Sequence, residues 1–126
     1  MTLLGIKVTQ PVEHIDPVPL NDTHKLKYIT FTVSEFTSVC PVTGQPDYYT
    51  ITITIRPFKC SIESKSLKLW LWKYRNYGIF CESLAEEVLT EIVDIINPIS
   101  ATVAVAQQSR GGIEINSVAS YEWSKL

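Results

Sequence analysis

Cys40 and Asp47 are the two residues whose types and spacing best suit covalent chemistry. They stand in the stretch 36–50, which also holds two prolines and a glycine and lies between two segments with strand patterns. A connection between adjacent strands needs only about two to five residues and no thiol. Because loops on a rigid scaffold often hold reactive groups, a loop that folds back predicts a thiol and a carboxylate facing one gap. The alternatives are a small buried cysteine and a solvated turn aspartate.

The segment 63–68, ESKSLK, combines hydroxyl and ammonium groups at the start of an element with both helical and strand spacing. We favour the helix. Free amides at a helix start, together with serine and lysine side chains, favour an anion such as a phosphate. The segment lacks the glycines of a P-loop, so nothing supports nucleoside triphosphate hydrolysis. The alternative is a polar helix start with its lysines in solvent.

Two further positions could bind a ligand. Glu82 precedes a second helix, where a carboxylate either interacts with the helix dipole or accepts hydrogen bonds from the paired N–H donors of a guanine-like edge. The sequence Arg110-Gly111-Gly112 is typical of a hairpin turn, and it could also contact a cofactor phosphate through its guanidinium and backbone.

The elements that must position these residues follow the order β-β-α-α-β-β. Alternation or helical spacing predicts strands over 25–33 and 47–57, helices over 63–76 and 84–97, and strands over 99–108 and 113–122. Ser83 and Glu86 fit a capping box for the second helix, and Asn97-Pro98 ends it. This order implies an α+β fold, an antiparallel sheet with two helices on one face. Its two open sheet edges favour closure by oligomerisation.

Residues 1–24 contain three prolines and no sustained period. We interpret them as an extended N-terminal arm that can pack on a neighbouring subunit. Residues 25–126 then form a single domain, which is the size that this chain length supports.

Composition and charge exclude several classes of function. The 126 residues are 45% hydrophobic and 19% charged with a net charge of −2, so the chain resembles a soluble globular protein without overall attraction for a polyanion. The N-terminal residues contain no apolar core of signal-peptide length and no apolar run reaches the roughly 20 residues that span a bilayer, so we expect a cytoplasmic protein without membrane contact.

Three cysteines, no CxxC pair and only two histidines predict free thiols and no metal site. Besides Cys40 and Cys81, the third cysteine is Cys60, which we interpret as structural.

Together these segments resemble one family, the NADPH-dependent 7-cyano-7-deazaguanine reductases of queuosine biosynthesis (QueF family), a tRNA modification pathway. The likeness spans Tyr28 to Tyr121 and keeps the family's order and spacing. The resemblance implies the tunnelling fold, with subunits assembled into rings, a homo-oligomer of two stacked pentamers and active sites between subunits. It rests on the motifs FTSVCPVTGQPDY, ESKSLKLW, RNYGIFCE and RGGI.

The resemblance also implies a mechanism. Cys40 attacks the nitrile carbon to form a covalent thioimide, Asp47 acts as the proton shuttle, and two hydrides from the cofactor NADPH complete the reduction to the amine. The implied substrate-binding residues are Ile62, Glu63, Ser64, Cys81 and Glu82. The implied cofactor-binding residues are Ser64, Lys65, Lys68, Arg110 and Gly111.

One position departs from the family pattern, because Cys81 stands where the family has histidine before the substrate-binding glutamate. A thiol is a weak donor and no comparable proton relay near neutral pH. Reduction could persist at a lower rate, the chemistry could resemble that of the related archaeal amidinotransferases, or Cys81 could form a reversible disulfide with Cys40. We favour reduction, because the ESKSLK cofactor motif is intact.

The amidinotransferase alternative converts a cyano-deazaguanine to a formamidine, and only it implies a nucleic acid partner. A third class is a deazapurine-binding protein without catalysis.

Overall fold

The computed structural model describes residues 10–123. The elements are β1 (Pro17–Pro19), β2 (Ile29–Val39), β3 (Pro46–Arg56), β4 (Cys60–Ile62), α1 (Ser64–Trp72), a 3-10 turn (Lys73–Asn76), α2 (Cys81–Ile96), β5 (Ser100–Arg110) and β6 (Ile113–Glu122). The main sheet has four antiparallel strands in the order β2-β3-β5-β6, and a small second sheet pairs β1 with β4.

The alternation of residues along β3 explains why the main sheet has one apolar face and one more polar face. Its isoleucines at 51, 53 and 55 are completely buried, whereas the threonines between them lie on the opposite, more exposed face. Val103 and Val105 of β5 are buried on the same side of the sheet as these isoleucines. The apolar residues of α2 belong to the same core. The period of two therefore gives one apolar sheet face, which the helices cover. The expected α+β fold is confirmed, and the short strands β1 and β4 add to the expected order of elements.

The second helix ends where the sequence predicts and begins earlier. Asn97 adopts the left-handed conformation (φ 43°) as its C-cap, and Pro98 follows. The capping box at Ser83 is wrong, because α2 already begins at Cys81 with Phe80 as its N-cap and no side-chain cap bond. The prediction of a helix after Glu63 is confirmed.

The first long strand differs from its predicted bounds of 25–33. It spans Ile29–Val39 and carries a register shift between Val33 and Phe36. A bulge of this kind inserts an unpaired residue and breaks the alternation, so the sequence pattern loses the strand at that point. Half of the expected loop is consequently strand, and the turn itself is only Cys40–Gln45.

The described part of the N-terminal segment lies against its own chain. Ile15 is 1% exposed and belongs to the core, and its N–H donates to Glu91 Oε2 (2.9 Å). The carbonyl of Asp16 accepts from the Glu63 N–H (2.9 Å), next to the pairing of β1 with β4. Residues 1–9 of the expected arm lie outside the described residues, and the boundary at residue 24 stays a prediction.

The main sheet leaves β2 and β6 as its outer strands within the chain. No helix within residues 10–123 is both long enough and apolar enough to cross a membrane. Closure of these sheet edges by ring assembly stays a prediction.

Candidate active site

Cys40 begins the turn that joins β2 to β3. Its N–H donates to the Gln45 carbonyl (2.8 Å), and its carbonyl accepts from the Gly44 N–H (2.8 Å). Gly44 has a φ of 71°, a conformation that glycine adopts without the steric cost of a side chain. The two hydrogen bonds close the turn, and they hold the partly exposed Cys40 thiol at the end of a rigid hairpin.

The turn itself stabilises a thiolate at position 40. Hydrogen bonds from the Thr43 side chain, and then from the N–H groups of Thr43 and Val42, lower the pKa of the Cys40 thiol. The Gln45 N–H donates to Thr43 Oγ1 (3.3 Å), which leaves the hydroxyl hydrogen of Thr43 available for the sulfur. Thr43 and Gln45 were not identified from the sequence, although both lie within the motif around Cys40.

Asp47 lies on the partner strand of the same hairpin, directly across from Ser38. Its side chain is buried, and it forms an ion pair with the Arg110 guanidinium, which also donates to Gln45 Oε1 (2.9 Å). The charge of Asp47 acts to raise the Cys40 pKa, against the stronger effect of the turn. The two groups are therefore close enough for their charges to interact, and their pairing in catalysis stays a prediction.

Arg110 comes from the tip of the β5–β6 hairpin. A register shift between Gln107 and Arg110 interrupts the pairing of these strands, and Gly111 and Gly112 form the turn with positive φ angles. Bulges near active sites commonly redirect a side chain. The shift at this position accompanies an Arg110 side chain that reaches the hairpin of Cys40.

A third segment runs beside the Cys40 turn. Val39 donates to the Tyr77 carbonyl (3.4 Å) and accepts from the Ile79 N–H (3.3 Å). A Cβ on Gly78 would come within 3.1 Å of Pro41 Cα, so a side chain here would force the two segments apart by a few tenths of an ångström. This segment leads directly into α2, whose first turn carries the exposed Glu82.

Cys81 is directed into the interior. It is 1% exposed, its Sγ accepts from the Ser117 hydroxyl (3.3 Å), and its thiol lies 3.7 Å from the Val105 carbonyl. Burial raises the pKa of this thiol, as it does for the half-buried Cys60. All three cysteines are free thiols. A substrate-binding role for Cys81 and a disulfide with Cys40 both stay predictions.

The other predicted binding residues lie at the start of α1. Glu63 is 6% exposed, and its carboxylate is the N-cap, accepting from the Lys65 N–H (2.9 Å) and the Ser66 N–H (2.7 Å). The prediction that free amides at this helix start are available to a phosphate is therefore wrong, because the Glu63 carboxylate already accepts their hydrogen bonds. An anion here would depend on the side chains of Ser64, Lys65 and Lys68.

Ser64 and Lys68 line a groove of about 980 Å³ between β2 and α1. Its other end has the exposed side chains of Trp72 and Arg75. A volume of this size is typical of small-molecule and cofactor sites. Hydroxyl, ammonium and guanidinium groups beside an aromatic ring suit the phosphates and rings of a dinucleotide, so the residues present fit NADPH.

The predicted site residues thus form two groups within one chain. The Cys40 group consists of Cys40, Asp47, Cys81, Glu82, Arg110 and Gly111, and the Glu63 group consists of Ile62, Glu63, Ser64, Lys65 and Lys68.

The two groups are separated along β3. The Cys40 turn adjoins the first residue of this 11-residue strand, and β4 and the start of α1 come after its last residue. At about 3.3 Å per residue, the strand is roughly 33 Å long. One chain therefore does not bring the two groups together. Among residues 10–123, no three His, Cys, Asp or Glu side chains cluster as metal ligands would.

Known proteins resemble this chain in sequence and in fold. The family described as "QueF-like protein" matches residues 46–125. The NADPH-dependent 7-cyano-7-deazaguanine reductase of Syntrophus aciditrophicus is 39% identical over 99% of this chain and 91% of its own length. The enzyme of the same name from Chlorobium phaeobacteroides is 47% identical over 69% of this chain and 74% of its own.

A solved structure shares the fold. The archaeosine synthase QueF-Like in its apo form aligns with a TM-score of 0.73 and 22% identity, over 81% of this chain and all of that one. At this identity the alignment supports the fold assignment and carries no information about the chemistry.

Proposed function

Because the chain belongs to the QueF-like protein family, we propose that it reduces the nitrile of 7-cyano-7-deazaguanine to the aminomethyl group with NADPH. The relatives named as such reductases match nearly the whole chain, which supports this reaction over the amidinotransferase alternative. The motif residues that carry the resemblance lie in the hairpin of Cys40, at the start of α1, in the segment that leads into α2 and at the β5–β6 turn.

The observation that carries the proposal is the pairing of an activated thiol with a buried carboxylate. Cys40 is partly exposed, and the hydrogen bonds of its turn lower its pKa, as a nucleophile for a nitrile carbon requires. Asp47 lies on the adjacent strand of the same hairpin, where its carboxylate can exchange a proton with the reacting atoms. A structural cysteine of the Cys60 type would be shielded and have a raised pKa instead.

The chain's residues divide the work. Cys40 bonds to the nitrile carbon, and Asp47 passes the proton to the nitrile nitrogen as that atom gains negative charge. Bound NADPH supplies hydride. Ser64, Lys65 and Lys68 would hold its phosphates, and the exposed carboxylate of Glu82 would accept the paired N–H donors of the deazaguanine.

The proposal extends to an assembly of several subunits. The groups around Cys40 and Glu63 belong to one site only if a neighbouring subunit supplies one of them. The resemblance implies rings of two stacked pentamers, and the open edges of β2 and β6 are where such rings would close. A cytoplasmic location belongs to the same proposal, since the cytoplasm supplies both NADPH and free nucleobases.

Intact mass spectrometry with 7-cyano-7-deazaguanine, with and without NADPH, tests the reaction. We expect a covalent adduct on the wild type without NADPH, and turnover of about two NADPH per amine formed when it is added. Cys40→Ala should lose both, whereas the matched Cys60→Ala should keep both. A formamidine product without NADPH oxidation would establish the amidinotransferase alternative instead.

A further inference from the structure

Arg110 is the residue whose observed contacts differ from its expected role. The resemblance assigns it to the cofactor phosphates, but its guanidinium pairs with the Asp47 carboxylate through Nη1 and donates to Gln45 Oε1 through Nη2 (2.9 Å). The Arg110 side chain is 38% exposed and that of Asp47 is 5% exposed. The guanidinium therefore covers the carboxylate from the solvent side.

Within one chain, Arg110 also lies apart from the other candidate phosphate ligands. It stands at the tip of the β5–β6 hairpin, whereas Lys65 and Lys68 lie on α1, which begins beyond the opposite end of β3. Arg110 instead contacts both residues that flank Pro46, at the junction of the Cys40 turn and β3.

We propose that Arg110 is the positioning residue for the proton shuttle Asp47, and that it acts in the step that forms the thioimide. This inference rests on the proposed function. A buried carboxylate needs charge compensation, and a guanidinium supplies it together with a fixed direction for its hydrogen bonds. With Arg110 in place, the Asp47 carboxylate is held beside the thiol instead of rotating towards water.

The step that Arg110 supports is balanced without an oxidant or reductant. The Asp47 carboxylate takes the Cys40 proton, the sulfur electron pair forms the S–C bond, and one π bond of the nitrile breaks. The nitrile nitrogen receives the electron pair of that bond and then the proton held by Asp47. The product is the neutral thioimide with Asp47 again a carboxylate, so the pair with Arg110 is restored before any hydride transfer.

Two rate measurements separate this role from binding of a cofactor phosphate. We expect Arg110→Ala to slow adduct formation about tenfold or more in the complete absence of NADPH. This is less than the roughly 100- to 10,000-fold contribution of a proton-transfer group itself, because Asp47 is retained. The KM for NADPH should change little, and Arg110→Lys should recover part of the adduct rate. An unchanged adduct rate with a raised KM for NADPH would overturn the proposal and leave Arg110 as a cofactor ligand.

A double-variant comparison excludes a merely structural effect. If Arg110 acts through Asp47, then Arg110→Ala should slow adduct formation in the wild-type background and have little further effect in an Asp47→Asn background. Equal effects in both backgrounds would show that Arg110 acts independently of Asp47 and would contradict the inference. Thermal unfolding of each variant shows that the comparison is made on folded protein.

Alkylation of Cys40 by iodoacetamide tests the same contact without any substrate. Removal of Arg110 leaves the Asp47 charge uncompensated beside the thiol, so the pH midpoint of Cys40 alkylation should rise in Arg110→Ala and return in the Asp47→Asn double variant. An unshifted midpoint would refute the contact. If the wild type forms no adduct but the midpoint shifts as expected, the reductase proposal fails while the Arg110–Asp47 coupling holds.

Discussion

Buried carboxylates lie near both ends of β3, and they have different hydrogen-bond partners. At the Cys40 end, Asp47 is buried and compensated by an arginine, and its neighbour is a partly exposed thiol with a lowered pKa. At the other end, Glu63 is buried to a similar degree, but backbone amides of α1 satisfy it. Burial alone therefore does not distinguish the two carboxylates, whereas their hydrogen-bond partners do.

The difference also teaches how the site is divided. The Cys40 end holds the thiol and the carboxylate that the proposed mechanism uses, whereas the Glu63 end holds cationic and hydroxyl side chains along a groove without a cysteine among its lining residues. Under the proposed function, neither end is complete by itself. The strand between them is too long for either group to reach the other within one chain.

The largest expected effect tests whether the two ends meet across subunits. Cys40→Ala and Glu63→Gln should each be nearly inactive alone, because each removes a side chain from one half of every proposed site. Glu63→Gln keeps an oxygen that can accept a cap hydrogen bond. Co-expressed in equal amounts, the two chains should recover about a quarter of the wild-type rate, because random assembly pairs two intact halves in that share of sites.

The control for this mixture is Cys40→Ala with Asp47→Asn, two changes at the same end. That mixture should recover no activity, because no chain in it carries both Cys40 and Asp47. Recovery with neither pair would place all the necessary residues in one subunit.

A smaller effect tests whether NADPH binds in the groove beside α1 and not at the Cys40 turn. Lys68→Ala should raise the KM for NADPH about tenfold, because one charge-assisted contact to a phosphate is lost. Adduct formation without NADPH should be unchanged. Lys73→Ala is the matched control, since Lys73 lies over the Trp70 ring (4.3 Å) and does not line the groove. An equal rise in KM for both variants would argue against the groove as the cofactor site.

The pH dependence of thiol alkylation sharpens the contrast among the cysteines. The pKa of Cys40 is lowered, so its thiolate persists to lower pH than an ordinary thiol and disappears as the pH falls through that lowered value. Cys60 and Cys81 have raised pKa values and should react only at higher pH. Peptide mapping after iodoacetamide treatment across a pH series should therefore find Cys40 modified first.

Thr43 supplies the matched variants for this measurement. Thr43→Val removes the hydroxyl that donates to the thiolate, so the alkylation midpoint of Cys40 should move to higher pH, whereas Thr43→Ser should leave it near its original value. Identical midpoints for valine and serine would mean that the backbone donors alone stabilise the thiolate.

The smallest effect concerns Cys81, which replaces the family's histidine. Because its thiol is buried against β5 and β6, Cys81→Ala should lower the free energy of unfolding by about 1 to 2 kcal/mol through the small cavity that it leaves. Adduct formation should persist. A complete loss of adduct in a folded Cys81→Ala protein would instead assign this thiol to the substrate site.

The sequence predicted the long strands and helices better than it predicted the bulge in β2 and the start of α2. The alternation in β3 and the stripe of α2 are long, regular patterns, and they predicted both elements correctly. The bulge after Val33 and the early start of α2 at Cys81 were missed, because each depends on a contact with a distant segment. Gly78 and Gln45 escaped notice for the same reason.

By itself the sequence determined the order of the four long strands and two helices, the single apolar sheet face and the family, since periodicity and motif spacing are local properties of the chain. The short strands β1 and β4 were missed. Tertiary structure alone decided which charges meet. It placed Arg110 on Asp47 and used Glu63 as a helix cap, because a buried carboxylate takes whichever donor the fold brings to it. It also turned Cys81 inward, a direction that no spacing in the sequence indicates.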